Sequence, residues 1–228
     1  MTHKIDIIGG KDYIAKQIVK HLQLLYDISP LDKQTITSLL PAILEKTQLC
    51  WQGINNKYYH QNGRPLLDIN HSNQYCQFLL ILTRHVSAEG HKCLANKLFS
   101  LNKMLNSCDI YHEIELPECF YIDHSLGIVL GRAQYGERLF LSQNCTIGSN
   151  PGSSDYPVLG KDNFLMSNVT LIGKIKTEDR VIFASGSYVK DRDIPSDSIV
   201  FGRSPDNIIK TLPPEKFKKA SPFNHDFL

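Results

Sequence analysis

Asp123 and His124 stand side by side, and Asp109 precedes the histidine by fifteen residues. An imidazole changes charge near neutral pH, so it can take the proton of a hydroxyl that is otherwise a poor nucleophile. A carboxylate on the second ring nitrogen fixes the tautomer and stabilises the imidazolium. A histidine in a turn can equally do no more than cap backbone, and Asp109 can do no more than cap the junction between two parts of the chain. His112 reads as a surface residue. Residue types alone leave these alternatives open, so the frame around them carries the argument.

That frame is a repeat. Apolar residues recur every six positions at Leu116, Ile122 and Ile128, then at Tyr135, Leu141 and Ile147. They recur again at Leu159, Leu165, Leu171, Phe183 and Val189, with Thr177 filling the gap. A period of six fits neither an α-helix nor a simple strand. It predicts a β-helix, in which each hexapeptide forms one flat face and the apolar residue points into the coil. The pattern is disturbed twice. One extra residue lies between Ile128 and Tyr135, and residues 149–157 form an excursion rich in Ser, Asn, Pro, Gly and Asp. Such turn formers predict a loop leaving the coil, and loops held on rigid scaffolds often carry function.

Residues 1–108 read as helical. Ile14, Ile18, His21, Leu22 and Leu25 keep helical spacing. Ser29-Pro30-Leu31-Asp32 resembles a helix start, and Ile36, Leu39, Leu40, Ile43 and Leu44 form the stripe that follows. Asn62-Gly63, followed by Pro65, marks a turn. Helical spacing returns over 73–82 and 92–105, with Gly90 between. Asp6-Ile7-Ile8-Gly9-Gly10 lacks GxGxxG and predicts a short strand or helix lead-in rather than a dinucleotide site. Residues 206–228 hold Pro213-Pro214 and several lysines, and predict a tail on the surface or on a neighbouring subunit.

Composition sets the outer limits. The chain has 228 residues, 42% hydrophobic and 21% charged, enough for a sizeable core. A formal net charge of +2 predicts no strong attraction to nucleic acid or an anionic membrane. The six cysteines (Cys50, Cys76, Cys93, Cys108, Cys119, Cys145) include no CxxC pair, which gives a zinc or redox reading no support. No run approaches the roughly 18 apolar residues of a membrane span. Met1-Thr2-His3-Lys4-Ile5-Asp6 has no leader character, and with unpaired thiols this predicts a cytoplasmic protein.

The region from Asp109 to about Lys210 resembles the hexapeptide-repeat acyltransferases, and within them the serine acetyltransferases. Four matches carry this. Asp109 precedes His124 by fifteen residues, as the family's catalytic Asp precedes its His. Ile122-Asp123-His124-Ser125-Leu126-Gly127-Ile128-Val129-Leu130-Gly131 matches a DH pair before a Gly-[IV]-V-[VIL]-Gly run. Leu141-Ser142-Gln143-Asn144-Cys145-Thr146-Ile147-Gly148 is similar to the coil leading into the active-site loop. Phe201-Gly202-Arg203-Ser204-Pro205 is similar to the closing Gly-x-Pro segment, with one residue more.

The resemblance implies an α+β fold: an N-terminal α-helical domain (1–108), a left-handed parallel β-helix (109–205) with an extruded active-site loop, and a C-terminal tail (206–228). It implies an acetyl-CoA-dependent O-acetyltransferase without a metal. His124 becomes the general base, Asp109 its orienter, and Asp123 a residue that positions the acceptor hydroxyl. Backbone N–H groups near Gly148 would stabilise the oxyanion. Ser167 and Ser185 would let the pantetheine arm approach, although small residues also suit tight β-helix corners. A homotrimer or hexamer is implied, since each coil supplies half a site.

The chain departs from the family at the loop. Serine acetyltransferases carry Arg-His before the proline that ends it; here stand Asp155-Tyr156-Pro157. An Arg holds a carboxylate well, whereas an Asp repels one. The departure predicts a neutral acceptor, a sugar of surface polysaccharide biosynthesis, with Asp155 beside it and with Tyr156 either against the sugar face or filling the base of the loop. A serine O-acetyltransferase is the rival, and would need Arg132 or Arg64 as the missing cation. A non-catalytic β-helix scaffold is the second rival. The zinc carbonic anhydrase of this fold needs three histidines, and the repeat region has only His112 and His124.

Overall fold

The computed structural model describes residues 5–224. Met1, Thr2, His3 and Lys4, on which the reading of the N-terminus rested, lie outside the described residues, as do residues 225–228 of the expected tail.

The first half is helical where the apolar spacing places helices. A short strand β1 (Asp6–Ile7) leads into α1 (Lys11–Gln23), which buries Ile14, Ile18 and Leu22. Helix α2 (Pro30–Gln52) opens on a capping box, in which Ser29 Oγ accepts from Asp32 N and Asp32 Oδ2 accepts from Ser29 N. Strands β2 (His60–Gln61) and β3 (Arg64–Leu67) form a hairpin across Asn62-Gly63, both with positive φ as a tight hairpin turn requires. β1 pairs in parallel with β3. Helices α3 (Ser72–Ala88) and α4 (Lys92–Asn106) pack against each other, joined across Gly90.

The second half is a left-handed parallel β-helix. Its strands are β4 (Cys108–Ile110), β5 (Phe120–Ile122), β6 (Ile128–Leu130), β7 (Leu139–Leu141), β8 (Thr146–Gly148), β9 (Val158–Leu159), β10 (Asn163–Leu165), β11 (Thr170–Ile172), β12 (Lys176–Thr177), β13 (Val181–Phe183), β14 (Tyr188–Lys190) and β15 (Ser198–Phe201). Parallel pairing stacks them into three faces. Face one holds β5, β7, β10, β13 and β15; face two holds β4, β6, β8, β11 and β14; face three holds β9 and β12. The repeat residues Leu116, Ile122, Leu141, Ile147, Leu159, Leu165, Leu171, Phe183 and Val189 are buried inside, and Tyr135 is packed against them. Thr177 is tolerated there because its hydroxyl donates to Asn163 Oδ1 at 2.6 Å. Asn163 in turn donates to the carbonyls of Gly160, Lys161 and Glu178, which leaves no buried polar atom of that pair wasted.

The corner before face one carries a charge ladder. Arg138, Asp162, Arg180 and Asp197 each precede a face-one strand and each has left-handed backbone, φ 55–58°. Arg138 pairs with Asp162 and Arg180 with Asp197, both through two guanidinium nitrogens.

Two expectations change. The extra residues of the first coil do not sit between Ile128 and Tyr135. Ile122 pairs with Leu141, whereas Leu130, not Ile128, pairs with Ile147. The corner leading from β5 to β6 is therefore two residues longer than the corner above it, and His124 sits in that enlargement. The tail, expected on the surface or a neighbour, folds back on its own chain. Strand β16 (Ile208–Thr211) caps β15 in antiparallel fashion. Helix α5 (Pro214–Ala220) stacks Phe217 on Phe164 at 4.9 Å between ring centroids, and Phe223 bridges to Ile54. Face one can therefore bury Tyr121, Phe140 and Phe164 on its outer side as well.

Candidate active site

Four residues follow the face-one strands at one register position: His124, Gln143, Ser167 and Ser185. Pairing of Ile122 with Leu141, Leu141 with Leu165 and Leu165 with Phe183 puts them on one corner, one above the other. Ser167 Oγ donates to Ser185 Oγ at 3.1 Å. Three residues singled out from the sequence thus share a ridge, and Gln143 joins them. Its place in the repeat was the only signal that could have marked it.

His124 has φ 54° and a side chain 68% exposed. It forms no side-chain hydrogen bond among the described residues. The carboxylate beside it is Asp123, with Oδ2 3.7 Å from Nε2. Asp123 is held by the helical half, for Asn73 Nδ2 donates to its Oδ1 at 3.1 Å. Tyr121 lies behind it; burial first, and then the Asp123 carboxylate, push the Tyr121 phenol above its usual range.

The expected Asp109–His124 pair is not formed within this chain. Asp109 Oδ2 accepts from Lys103 Nζ at 2.6 Å instead. Lys103 lies in the last turn of α4, one short step before β4, so it meets Asp109 on the outward side of the strand. His112 is also displaced from its expected place. It is buried, with Nδ1 2.8 Å from Ser87 Oγ and Nε2 3.0 Å from Asn96 Oδ1, and burial pulls its pKa below the usual histidine value. It joins the coil to α3 and α4.

The excursion leaves at the end of β8 and returns at β9, so it springs from the corner after face two, whereas His124 sits before that face. Asn150 anchors its start by donating to both carboxylate oxygens of Asp191, at 2.9 and 3.1 Å. The Lys174 N–H and then this amide hold Asp191 below the usual carboxylate range. Asp155 is exposed and Tyr156 half-buried, and neither bonds to His124. Gly148 lies in β8 with its carbonyl taken by Gly173 N at 2.9 Å. Arg132 is exposed at the same corner as the loop, one coil below, just after β6. Arg64 lies in the β2–β3 hairpin, in the helical half.

All six cysteines are free, and only Cys93 is exposed. Among the described residues no group of three or more His, Cys, Asp or Glu is placed to hold a metal, and no helix is long and apolar enough to cross a membrane.

No protein-family model matches the chain. Serine acetyltransferase 2 of Arabidopsis thaliana is 30% identical over 127 residues, 54% of this chain and 39% of that protein. A serine acetyltransferase of Synechococcus elongatus is 30% identical over 108 residues, 46% of this chain and 44% of that protein. The chain therefore spans less than half the length of these relatives. The crystal structure of serine acetyltransferase from Brucella abortus superposes with a TM-score of 0.62 at 19% identity, covering 79% of this chain and 74% of that one. The chain has the fold of the serine acetyltransferases. The likeness takes in helices and coil together, which accounts for the helical half as well as the repeat.

Proposed function

We propose that the chain is an acetyl-CoA-dependent O-acetyltransferase of the serine acetyltransferase type. The observation that carries this is the ridge on which His124 stands below Ser167 and Ser185. In this reading the acceptor hydroxyl gives its proton to His124 as its oxygen attacks the thioester carbonyl. The tetrahedral intermediate then collapses, the C–S bond breaks, and the CoA thiolate takes the proton back as it leaves. The pantetheine arm follows the ridge past the two serines. N–H groups near Gly148, across face two from His124, serve the oxyanion from a second copy. Asp123 positions the acceptor. Asp109 orients the imidazolium after turning from Lys103, an exposed pair that holds it by no more than about 1 kcal/mol.

Serine is the acceptor this reading favours, in place of the polysaccharide sugar expected from the loop. The two relatives described above are serine acetyltransferases by name, and Arg132 offers a cation at the corner where Asp155-Tyr156 replaces Arg-His. The loop and His124 lie on opposite sides of face two, so a loop from a second copy would complete each site, as a homotrimer or hexamer allows. A neutral hydroxyl acceptor is the second reading, favoured by Asp155 alone. Thiol release from acetyl-CoA, run in parallel with L-serine and a panel of sugars, separates the two. Release with a sugar and not with serine overturns the preferred acceptor; silence with every acceptor overturns the activity.

A further inference from the structure

The enlarged corner that holds His124 is tied at both ends. Asp123 N donates to Leu141 O at 2.9 Å where the corner begins. Gly127 N donates to Ser107 O at 3.0 Å where it ends, and Leu126 O accepts from Asn144 N at 2.8 Å. Between these ties the corner has two residues with no counterpart in the coil above. One side chain fills the gap from outside the β-helix. Asn73, in the first turn of α3, donates from Nδ2 to Asp123 Oδ1 at 3.1 Å and accepts at Oδ1 from Ser125 N at 3.3 Å. A single carboxamide therefore grips the residue before His124 and the residue after it.

The grip is rigid at its other end. In the next turn Gln77 is fully buried and bonds to both Phe120 O (2.9 Å) and Ile122 N (3.2 Å) of the strand that runs into the corner. Gln74 donates to Tyr58 O at 2.6 Å and accepts from Asp68 N at 2.7 Å. Helix α3 is thus fastened to the coil and to the loop beneath it, and Asn73 projects from a fixed base. His124 itself, exposed and without a side-chain hydrogen bond among the described residues, depends on its backbone for placement.

We propose that Asn73 is a positioning residue, which sets the place of His124 and the direction of the Asp123 carboxylate from the helical half of the chain. This rests on the acetyltransferase reading above. Its loss should act on the chemical step, because displacement of a base by about 1 Å can cost on the order of a hundredfold. It should not act on acetyl-CoA binding, because the ridge above is built by the coil alone.

The test is Asn73→Ala in the full-length protein, assayed for thiol release with the acceptor that the wild type accepts. The expected result is a fall in kcat of about tenfold to a hundredfold, with KM for acetyl-CoA within about threefold. Amide hydrogen exchange at Ser125 should quicken at least about tenfold, since that N–H loses its partner. Asn73→Asp serves if the alanine variant fails to fold. It keeps the acceptor for Ser125 N and loses the donor to Asp123, so Ser125 should stay protected while kcat still falls. An active wild type whose Asn73→Ala form keeps kcat within twofold overturns the positioning role alone. A wild type that releases no thiol with any acceptor overturns the reading on which it rests, and the role with it. Unchanged exchange at Ser125 in Asn73→Ala overturns the contact itself.

Discussion

Replacing Gln77 with Leu tests whether α3 holds the first coil in place. β5 is the free edge of face one, so on one side its backbone groups have no neighbouring strand. Gln77 supplies the missing partner, accepting from Ile122 N and donating to Phe120 O. Leucine keeps the bulk and removes both bonds. Ile122 N then has no replacement on that side, and a buried orphan of this kind costs about 1–3 kcal/mol. Phe120 O keeps only the weak Cys50 thiol donor at 3.3 Å, which adds on the order of 1 kcal/mol. Leucine's greater apolarity returns part of this, and about 1–3 kcal/mol remains. For a chain of this size each kcal/mol moves Tm by roughly 2–4 °C, so a fall of about 2–12 °C is expected. Thermal unfolding followed by circular dichroism measures it. Gln23→Leu, an exposed change at the end of α1, is the control and should stay within about 0.5 kcal/mol. A Gln77→Leu protein that melts within about 2 °C of wild type refutes the bracing argument.

Asp109→Asn should lower kcat by at least about a hundredfold if that carboxylate orients His124 during turnover, whereas Lys103→Met, which only frees it, should leave kcat within about threefold; steady-state kinetics of the two variants decide this, and the opposite order refutes the role. The Arg180 guanidinium, through hydrogen bonds first, holds Asp197 below the usual carboxylate range. Its contribution to stability is thus complete above the unfolded value near 4 and is lost as pH falls through the lower folded value. Asp197→Asn should flatten the acid limb of a plot of Tm against pH below about 5, and an unchanged slope contradicts that assignment.

The coil was legible because its inward positions carry one residue type at a fixed period, and burial of Ile122, Leu141, Leu165 and Phe183 follows directly. The register of the His124 corner was not legible. Ile128 and Leu130 are both apolar and both buried, and a strand with period two lets either one look like the repeat residue. The tail misled because Lys216, Lys218 and Lys219 flank Phe217 and hide one buried ring among solvated charges. Spacing brought out Asp109 and His124, but spacing says nothing of Lys103, which reaches Asp109 from a helix. Asn73 and Gln77 left only a faint mark, as polar residues at the edge of and within the apolar run of α3. A buried glutamine amid leucines is costly unless it has partners, and that cost was the available clue.

The central claim is that His124 is the proton acceptor in an acetyl transfer. Thiol release from acetyl-CoA by His124→Ala, with L-serine as acceptor and wild type alongside, tests it most directly. The account predicts release by the wild type and a fall in kcat of about 10²–10⁴-fold in the variant, with the variant's Tm unchanged because the side chain is exposed. Undiminished release by His124→Ala contradicts it.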